Sequence, residues 1–350
     1  MGHFELNTSN IKLCLGAADV SAAYLGNEKV YPTIDEQDYF SITNDDADNG
    51  CFFVFDSYNS NYYLDLDLEY SYDKKTWTKW PTSEDDRLWL SGENLNPAMK
   101  TAYIRGNNTT ISPNDSDYIS LFQSGTSWHA GGNIMSLLRK NNFDTLTSVP
   151  DYCFYRFFIN QRWMTAAPKL PATTVGAYAY QDMFNGCITL TAAPALPATT
   201  IGTSCYAYMF YGCKRMTSAP AILPATTLAD DCYRNMFNGC EALTAAPALP
   251  ATTLASGCYR NMFTVCSSLT TAPELPARQL VSYCYHEMFK MCSSMNYIKA
   301  LFTSTPGTNT TDWVAAVATS GTFVKNAAAT WTNTGENAVP VGWTIETASS

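Results

Sequence analysis

From Cys153 onward the chain repeats one pattern of hydrophobic and polar residues. Met-Phe dipeptides mark the pattern and begin at residues 183, 209, 236, 262 and 288, with spacings of 26, 27, 26 and 26 residues. One unit reads CYRNMFNGCEALTAAPALPATTLASG, from Cys232 to Gly257. A fixed period of about 20 to 29 residues is typical of leucine-rich repeats, in which a unit buries its apolar side only against its neighbours. The pattern therefore predicts a solenoid with a continuous core.

Each unit divides into a predicted helix and a predicted extended stretch. Cys232, Met236 and Cys240 are spaced by four residues. Tyr233 and Phe237 follow the same spacing, which predicts one apolar stripe on a short helix. In the second part of the unit, two prolines within four residues exclude a helix and restrict any strand to a short extended segment.

Residues 36–125 alternate between apolar and polar positions instead. The stretch 64–69 reads LDLDLE, which places three leucines on one face of a strand and three acids on the other. Such alternation predicts an antiparallel strand with one buried face. Further strands are predicted at residues 51–55, 76–80, 87–91 and 101–106. Together these segments predict a β-sandwich of about seven or eight short strands.

The sequence thus predicts an α+β protein in four parts. Residues 1–35 are expected to form an extended anchor segment, and residues 36–125 the β-sandwich domain. Residues 126–302 are expected to form the leucine-rich-repeat solenoid with 26-residue repeats, and residues 303–350 a C-terminal cap. Within the cap we predict an amphipathic helix at 313–318, followed by short strands.

Ten of the 12 cysteines belong to the repeat. Two cysteines of one unit are eight residues apart, so on a helix they would lie about 12 Å from each other, too far for a disulfide bond. Zinc sites usually need closely spaced cysteines or histidine partners, and neither pattern occurs in the repeat. We predict buried free thiols, with bridges between neighbouring units as the main alternative.

Composition and charge exclude some classes of function. Hydrophobic residues make up 46% of the chain and charged residues only 15%, which is typical of a globular protein with a neutral polar surface. The net charge of −10 argues against a nucleic-acid-binding protein, because such proteins neutralise phosphates with Lys and Arg. Residues 1–150 carry 21 acidic and 10 basic side chains, whereas residues 151–302 carry 7 and 10. No apolar run reaches the ~18 residues of a membrane-spanning helix.

Groups for catalysis are scarce in the sequence. The three histidines, His3, His129 and His286, have no Ser, Cys or carboxylate partner at a recognised motif spacing. The run 84–86 offers carboxylates for glycoside hydrolysis, but a charge run at a strand edge is usually a solvated turn. We therefore predict no catalytic residue and no cofactor.

One loop has the composition of an ion site. Residues 44–50 read NDDADNG, and Asp45, Asp46 and Asp48 carry the oxygen ligands that calcium prefers. The Glu that completes an EF-hand loop is missing, so a hairpin turn is favoured and we predict no metal site. Whether these three carboxylates bind an ion is left open by the sequence.

Aromatic residues of the sandwich form a further candidate site. Exposed rings stack on sugar rings, although core and cross-strand packing is the more common role of such residues. The candidates are Tyr58, Tyr62, Tyr63, Trp77, Trp80 and Trp89.

The repeat resembles the BspA-like leucine-rich repeats of surface proteins of gut Bacteroidales and of phages that infect them. The resemblance is carried by CYRNMFNGCEALTAAPALPATTLA and its copies, by GGNIMSLL before them, and by SGTFVKN and VPVGWTIE after them. It covers residues 125–350. The segment 19–32 resembles short leaders of phage virion proteins, and the sandwich resembles β-modules that accompany these repeats.

The resemblance implies adhesion or attachment. Bacterial members of the family imply export by a signal peptide, and the N-terminus shows no basic segment followed by an apolar core. We therefore expect a non-enzymatic bacteriophage virion protein, such as a head or tail fibre, a decoration protein or a receptor-binding component. Its N-terminal part would dock on the particle, and the repeat would contact host or mucosal glycans or proteins.

The expected partners and location follow from that hypothesis. The protein would lie in the virion, against capsid or tail proteins, and a homo-oligomer such as a trimer stays open. We expect no nucleic-acid partner and no membrane insertion. The main alternative is a bacterial cell-surface BspA-like adhesin, and a glycan-degrading enzyme is the third.

Overall fold

The computed structural model describes residues 37–57, 66–80, 87–92, 94–123 and 125–348, together with the backbone of four short strands before residue 36. These strands form two antiparallel pairs, β1 (Cys14–Leu15) with β2 (Ala18–Asp19) and β3 (Ala23–Leu25) with β4 (Glu28–Tyr31). The rest of the predicted anchor segment lies outside the described residues. In the part of the chain that is described, no helix is long and apolar enough to cross a membrane.

Eight strands of the N-terminal part form two antiparallel sheets that resemble a sandwich. The larger sheet has the order β12 (Trp128–Gly131), β5 (Phe40–Asn44), β10 (Thr101–Gly106), β7 (Leu68–Ser71) and β8 (Thr78–Lys79). The smaller sheet has the order β11 (Ile119–Gln123), β6 (Cys51–Ser57) and β9 (Leu88–Leu90). Leu66 and Leu68 are buried, as their alternation with acids predicts. The antiparallel, sandwich-like arrangement predicted from the period of two is confirmed.

The C-terminal part is a β-solenoid of about eight turns and contains almost no helix, so the predicted α+β class is wrong. The predicted helix 232–240 is a series of turns. Every second backbone N–H donates to the next coil, as from Phe237 to the carbonyl oxygen of Met262 at 2.9 Å. The intervening N–H groups donate three residues back, as from Met236 to Tyr233 at 3.2 Å. Bonds between coils therefore replace the bonds within a helix.

The turn series explains why the sequence pattern resembled a helix. The backbone enters the left-handed region at every fourth residue, with φ of 51° at Asp231, 56° at Asn235 and 76° at Gly239. Asp, Asn and Gly adopt this region more readily than other residues. The resulting period of four is close to the 3.6 of a helix over nine residues. The predicted helix at 313–318 is also wrong, because φ is 57° at Ala316.

Short parallel ladders join the coils elsewhere. One ladder comprises β13 (Ser148–Val149), β14 (Thr174–Val175) and β15 (Thr200–Ile201), and the other comprises β16 (Tyr297–Ala300), β17 (Thr322–Lys325) and β18 (Thr344–Thr347). The residues predicted as a cap thus add two strands parallel to β16. The described helices are short 3-10 segments at Pro97–Met99, Ile134–Leu137, Phe143–Thr145 and Thr308–Thr310.

Equivalent residues of successive coils stack in buried rows. One row consists entirely of phenylalanines, with ring centroids 5.3 to 5.8 Å apart: Phe158, Phe184, Phe210, Phe237, Phe263 and Phe289. The ten cysteines of the repeat are buried, free thiols. Five of them donate their S–H group to a phenylalanine carbonyl of the preceding coil, as Cys240 does to Phe210 at 3.2 Å. The prediction of unbridged core thiols is confirmed.

Candidate functional site

The turn segments of successive coils form one face of the solenoid, which we call the turn face. Its interior neighbours are constant, as the phenylalanine row demonstrates, but its own side chains differ from coil to coil. The position before the first buried cysteine, which is replaced by Ala179 in the second unit, holds Tyr152, Tyr178, Ser204, Asp231, Gly257 and Tyr283. The position two residues after that cysteine holds Tyr155, Gln181, Ala207, Arg234, Arg260 and His286, of which Tyr155 and Ala207 are buried and the others partly exposed. A constant interior therefore supports a varied exterior.

Basic side chains occupy adjacent coils of the turn face. The guanidinium carbon of Arg234 lies 5.7 Å from the ring centre of Tyr208, and that of Arg260 lies 5.6 Å from the ring centre of Tyr283. The Nε atom of each arginine is buried and has no hydrogen-bond partner. Burial lowers the pKa of His286 in the next coil, and the charge of Arg260 lowers it further. The carboxyl of Asp231 interacts with both arginines, so the row contains its own anionic partner.

A cleft of about 400 Å³ lies where the sandwich meets the first turn segment of the solenoid. We call it the junction cleft. It is lined by Asp56, Ser120, Phe122, Gln123, Gly125, Ile159, Asn160, Gln161, Arg162 and Trp163. Ligand pockets in proteins commonly have volumes of about 300 to 1,000 Å³.

One wall of the junction cleft is the outer face of the smaller sheet. In the pairing of β6 with β11, Val54 lies opposite Phe122 and Asp56 lies opposite Ser120. Side chains alternate between faces along a strand, and the neighbouring Leu121 is buried in the core. Phe122 and Asp56 therefore point outward, and Phe122 is 48% exposed.

The other wall comes from the end of the first turn segment. The backbone N–H of Arg162 donates to the carbonyl oxygen of Asn160 at 2.8 Å, and Thr189 of the next coil donates its hydroxyl to the carbonyl of Arg162 at 2.7 Å. The carbonyl of Trp163 accepts a bond from the N–H of Trp128 at 3.2 Å. These bonds fix the backbone while the side chain of Trp163 stays 52% exposed.

Direct contacts hold the two walls together. The N–H of Leu121 donates to the carbonyl of Phe157 at 2.8 Å. The indole of Trp128 lies 5.0 Å from the ring of Phe53 in the sandwich and 6.2 Å from the ring of Phe158 in the solenoid. The sandwich and the solenoid share one hydrophobic core, so the cleft between them has fixed walls.

The carboxylates of the loop 44–50 are bonded to other protein groups, both within the loop and outside it. Asp46 accepts hydrogen bonds from the backbone N–H groups of Asp48 and Asn49, each at 3.0 Å, which lowers the pKa of its carboxyl. Asp48 accepts a bond from Asn94 at 2.8 Å. Asp45 contacts the His129 ring at 2.7 Å. The loop is a turn, but it connects β5 of the larger sheet to β6 of the smaller sheet and these strands do not pair, so the predicted hairpin is wrong. No group of His, Cys, Asp and Glu able to hold a metal occurs among the described residues.

The other predicted residues are scattered. Trp80 is buried in the core, Trp77 packs under the guanidinium of Arg105 at 3.8 Å, and Trp89 is 55% exposed. The tyrosines at 58, 62 and 63, the acids at 84–86 and the histidine at position 3 lie outside the described residues. His129 contacts one carboxylate oxygen of Asp45, and the hydroxyl of Thr165 donates to the other oxygen at 2.9 Å.

The array thiols are poor nucleophiles. Burial raises the pKa of Cys153, Cys187 and Cys292 to about 12 and raises those of the other seven array cysteines as well. Since the thiolate is the reactive form, these residues remain inert at neutral pH. Their role is in packing and in the S–H bonds between coils.

Sequence reasoning missed the junction cleft. Two signals were present in the sequence. Phe122 occupies an outward position in a strand whose outward positions are usually polar. Arg162 and Trp163 replace the smaller Ile188 and Thr189 of the following repeat. Neither signal indicates that the two segments lie together, because they are separated by 39 residues and belong to different parts of the fold.

Comparison with known proteins finds no relative of the chain. No protein-family model, no curated protein and no solved structure matches the chain.

Proposed function

We propose that the protein is a non-enzymatic attachment protein of a bacteriophage particle. The observation that carries the proposal is the combination of a constant buried interior with a turn face whose side chains change from coil to coil. A solenoid holds such side chains on a rigid, extended surface, which repeat proteins use for recognition. The N-terminal part docks on the particle, and the solenoid faces host or mucosal glycans or proteins.

The resemblance of the repeat to BspA-like surface proteins supports an adhesive role. The same resemblance supports the alternative, a bacterial cell-surface adhesin, because the two proteins would use the same recognition surface. They differ in where the chain is anchored. The buried array thiols, and the loop 44–50 whose carboxylates are bonded to other protein groups, supply no support for a glycan-degrading enzyme.

The test has two parts. First, the purified full-length chain carrying a fluorescent label is added to Bacteroidales cells and to surfaces coated with gastric mucin. Saturable attachment is expected, and absence of attachment to both contradicts the proposed function. Second, immunogold labelling distinguishes the two anchors: label on purified phage particles supports the virion protein, and label confined to the cell envelope supports the bacterial adhesin.

A reducing-end assay on the same polysaccharides tests the enzyme alternative. Attachment without release of reducing ends is the expected result. Release of reducing ends that scales with protein concentration contradicts the non-enzymatic assignment.

A further inference from the structure

The junction cleft brings exposed aromatic rings and charged side chains of both signs together. Of the described tryptophans only Trp89 and Trp163 are more than half exposed, at 55% and 52%, and Trp163 lines the junction cleft. Phe122 faces the same cleft from the sandwich and is 48% exposed. Two exposed aromatic rings at one cleft form an apolar surface of the kind that ligand sites use.

The polar groups of the cleft define the ligand further. Asp56 offers carboxylate acceptors, Arg162 offers guanidinium donors, and Asn160 offers both an acceptor and a donor. Among the described residues neither Asp56 nor Arg162 is held in an ion pair. Their charges cancel, so the cleft favours a ligand without net charge.

We propose that the junction cleft binds a neutral saccharide unit of a host or mucosal polysaccharide. A pyranose ring has an apolar C–H face that stacks on Trp163 and Phe122, and hydroxyl groups that both donate and accept hydrogen bonds. Asp56 accepts bonds from adjacent hydroxyls, and Arg162 and Asn160 donate to the remaining oxygens. The volume of about 400 Å³ accommodates one or two sugar units. This assignment rests on the proposed function and names a ligand class and a site for it.

The test measures binding of the full-length chain to dextran, mannan and galactan, with polygalacturonate as the acidic counterpart. At least one neutral polysaccharide is expected to bind and to quench tryptophan fluorescence. Trp163→Ala and Phe122→Ala are expected to weaken binding at least tenfold, and Asp56→Asn and Arg162→Gln about threefold to tenfold. Trp163→Phe keeps an aromatic ring and is expected to retain most of the affinity.

Trp89 supplies the matched control. It lies on β9 of the same sheet, is equally exposed and packs edge-to-face on Phe52 at 5.3 Å, outside the cleft. Trp89→Ala therefore removes the same indole area and is expected to leave saccharide binding unchanged. Equal losses for Trp89→Ala and Trp163→Ala overturn the assignment of the cleft.

Two outcomes separate this inference from the proposed function. If the chain attaches to cells or mucin but binds no neutral polysaccharide, or binds one with unchanged affinity after Trp163→Ala, the inference is overturned and the attachment function stands. If binding is confined to polygalacturonate and is lost in Arg260→Gln, the turn face is the saccharide site and the inference is likewise overturned. If no attachment occurs at all, the proposed function itself fails.

Discussion

The sandwich and the solenoid pack their aromatic rings in opposite ways. In the sandwich the rings meet edge to face, with interplanar angles of 79° between Phe53 and Trp128 and 64° between Phe55 and Trp80. In the solenoid the rings of one row lie nearly parallel, at 10° between Phe210 and Phe237. Both arrangements are favourable for aromatic pairs, so the difference has a geometric cause.

That cause is the relation between the packed segments. Successive coils repeat the same backbone with a nearly constant translation, so a residue meets its own equivalent in the same rotamer and the rings must be parallel. Strands of two facing sheets are not related by such a translation. Each contact between them therefore joins residues of different size in its own geometry. The solenoid therefore repeats one packing arrangement in every coil. A property of a side chain at one position of the unit, such as its pKa, thus recurs once in each coil.

The largest expected difference between the two regions is a loss of solenoid stability at alkaline pH. Ten buried array thiols have raised pKa values, whereas the described part of the sandwich contains one cysteine, Cys51. Folding raises the pKa of a buried thiol above its value of about 8.5 in the unfolded chain. The thiol's contribution to stability is fully present below pH 8.5 and is lost as the pH rises from there through the pKa of the folded state. Above pH 8.5 the loss is about 1.4 kcal/mol per thiol for each pH unit, which for the array at pH 10 amounts to about 20 kcal/mol, more than the whole stability of a typical domain.

Pulse alkylation with iodoacetamide, read by peptide mass spectrometry, checks this expectation. At pH 7.5 neither region is expected to be labelled. At pH 10 the array cysteines are expected to be labelled as the solenoid opens, before Cys51. Labelling of Cys51 first contradicts the comparison of the two regions.

A large effect is also expected from removing one ring of a row. Phe237 is fully buried between Phe210 and Phe263, and Phe53 is fully buried in the sandwich. Substitution of either by Ala is expected to lower the free energy of unfolding by about 3 to 5 kcal/mol. In a solenoid each coil contacts only its neighbours, so Phe237→Ala is expected to split the guanidinium denaturation curve into two steps, whereas Phe53→Ala shifts it. Identical single transitions argue against independent coils.

A smaller effect is expected at the turn glycine Gly239. Its φ is 76°, and an added Cβ would meet no atom closer than 3.5 Å, so Gly239→Ala costs only the left-handed conformation, about 1 to 2 kcal/mol. Gly125 precedes β12 of the sandwich and is the matched position, because its φ is 71° and an added Cβ would meet open space. Equal losses in thermal unfolding are expected for the two variants. A loss above about 3 kcal/mol for Gly239→Ala alone would mean that strain spreads along the coils.

The smallest expected effect is a gain. The hydroxyl of Tyr180 is buried without a hydrogen-bond partner, and the preceding coil already has Phe154 at this position, with the rings stacked at 5.9 Å. Tyr180→Phe is expected to stabilise the solenoid by about 1 kcal/mol, because it removes a polar group that lost its water on folding. A lower melting temperature for this variant contradicts the assignment of an unpaired hydroxyl.

Much of the fold was predictable from local patterns. The repeat, its buried rows, the free thiols and the alternating strands follow from which positions are apolar, because burial depends mainly on that pattern. The helix assignment was wrong because a period of four and a period of 3.6 differ little over nine residues. Asn235 and Gly239, which favour turns, were the local evidence against a helix.

The junction cleft could not be predicted in the same way. Phe122 and Trp163 are ordinary residues in their own segments, and contacts between the sandwich and the first coil, such as the bonds of Leu121 and Trp128, bring them to one cleft.

By itself the sequence determined a 26-residue repeat with a continuous buried interior and an alternating-strand body before it. The tertiary structure alone decided that the repeat forms turns rather than helices, because backbone hydrogen bonds to the next coil compete with bonds inside the segment. It also decided which exposed side chains meet, because the distance between two surface residues depends on how separate parts of the chain pack and not on their local sequence.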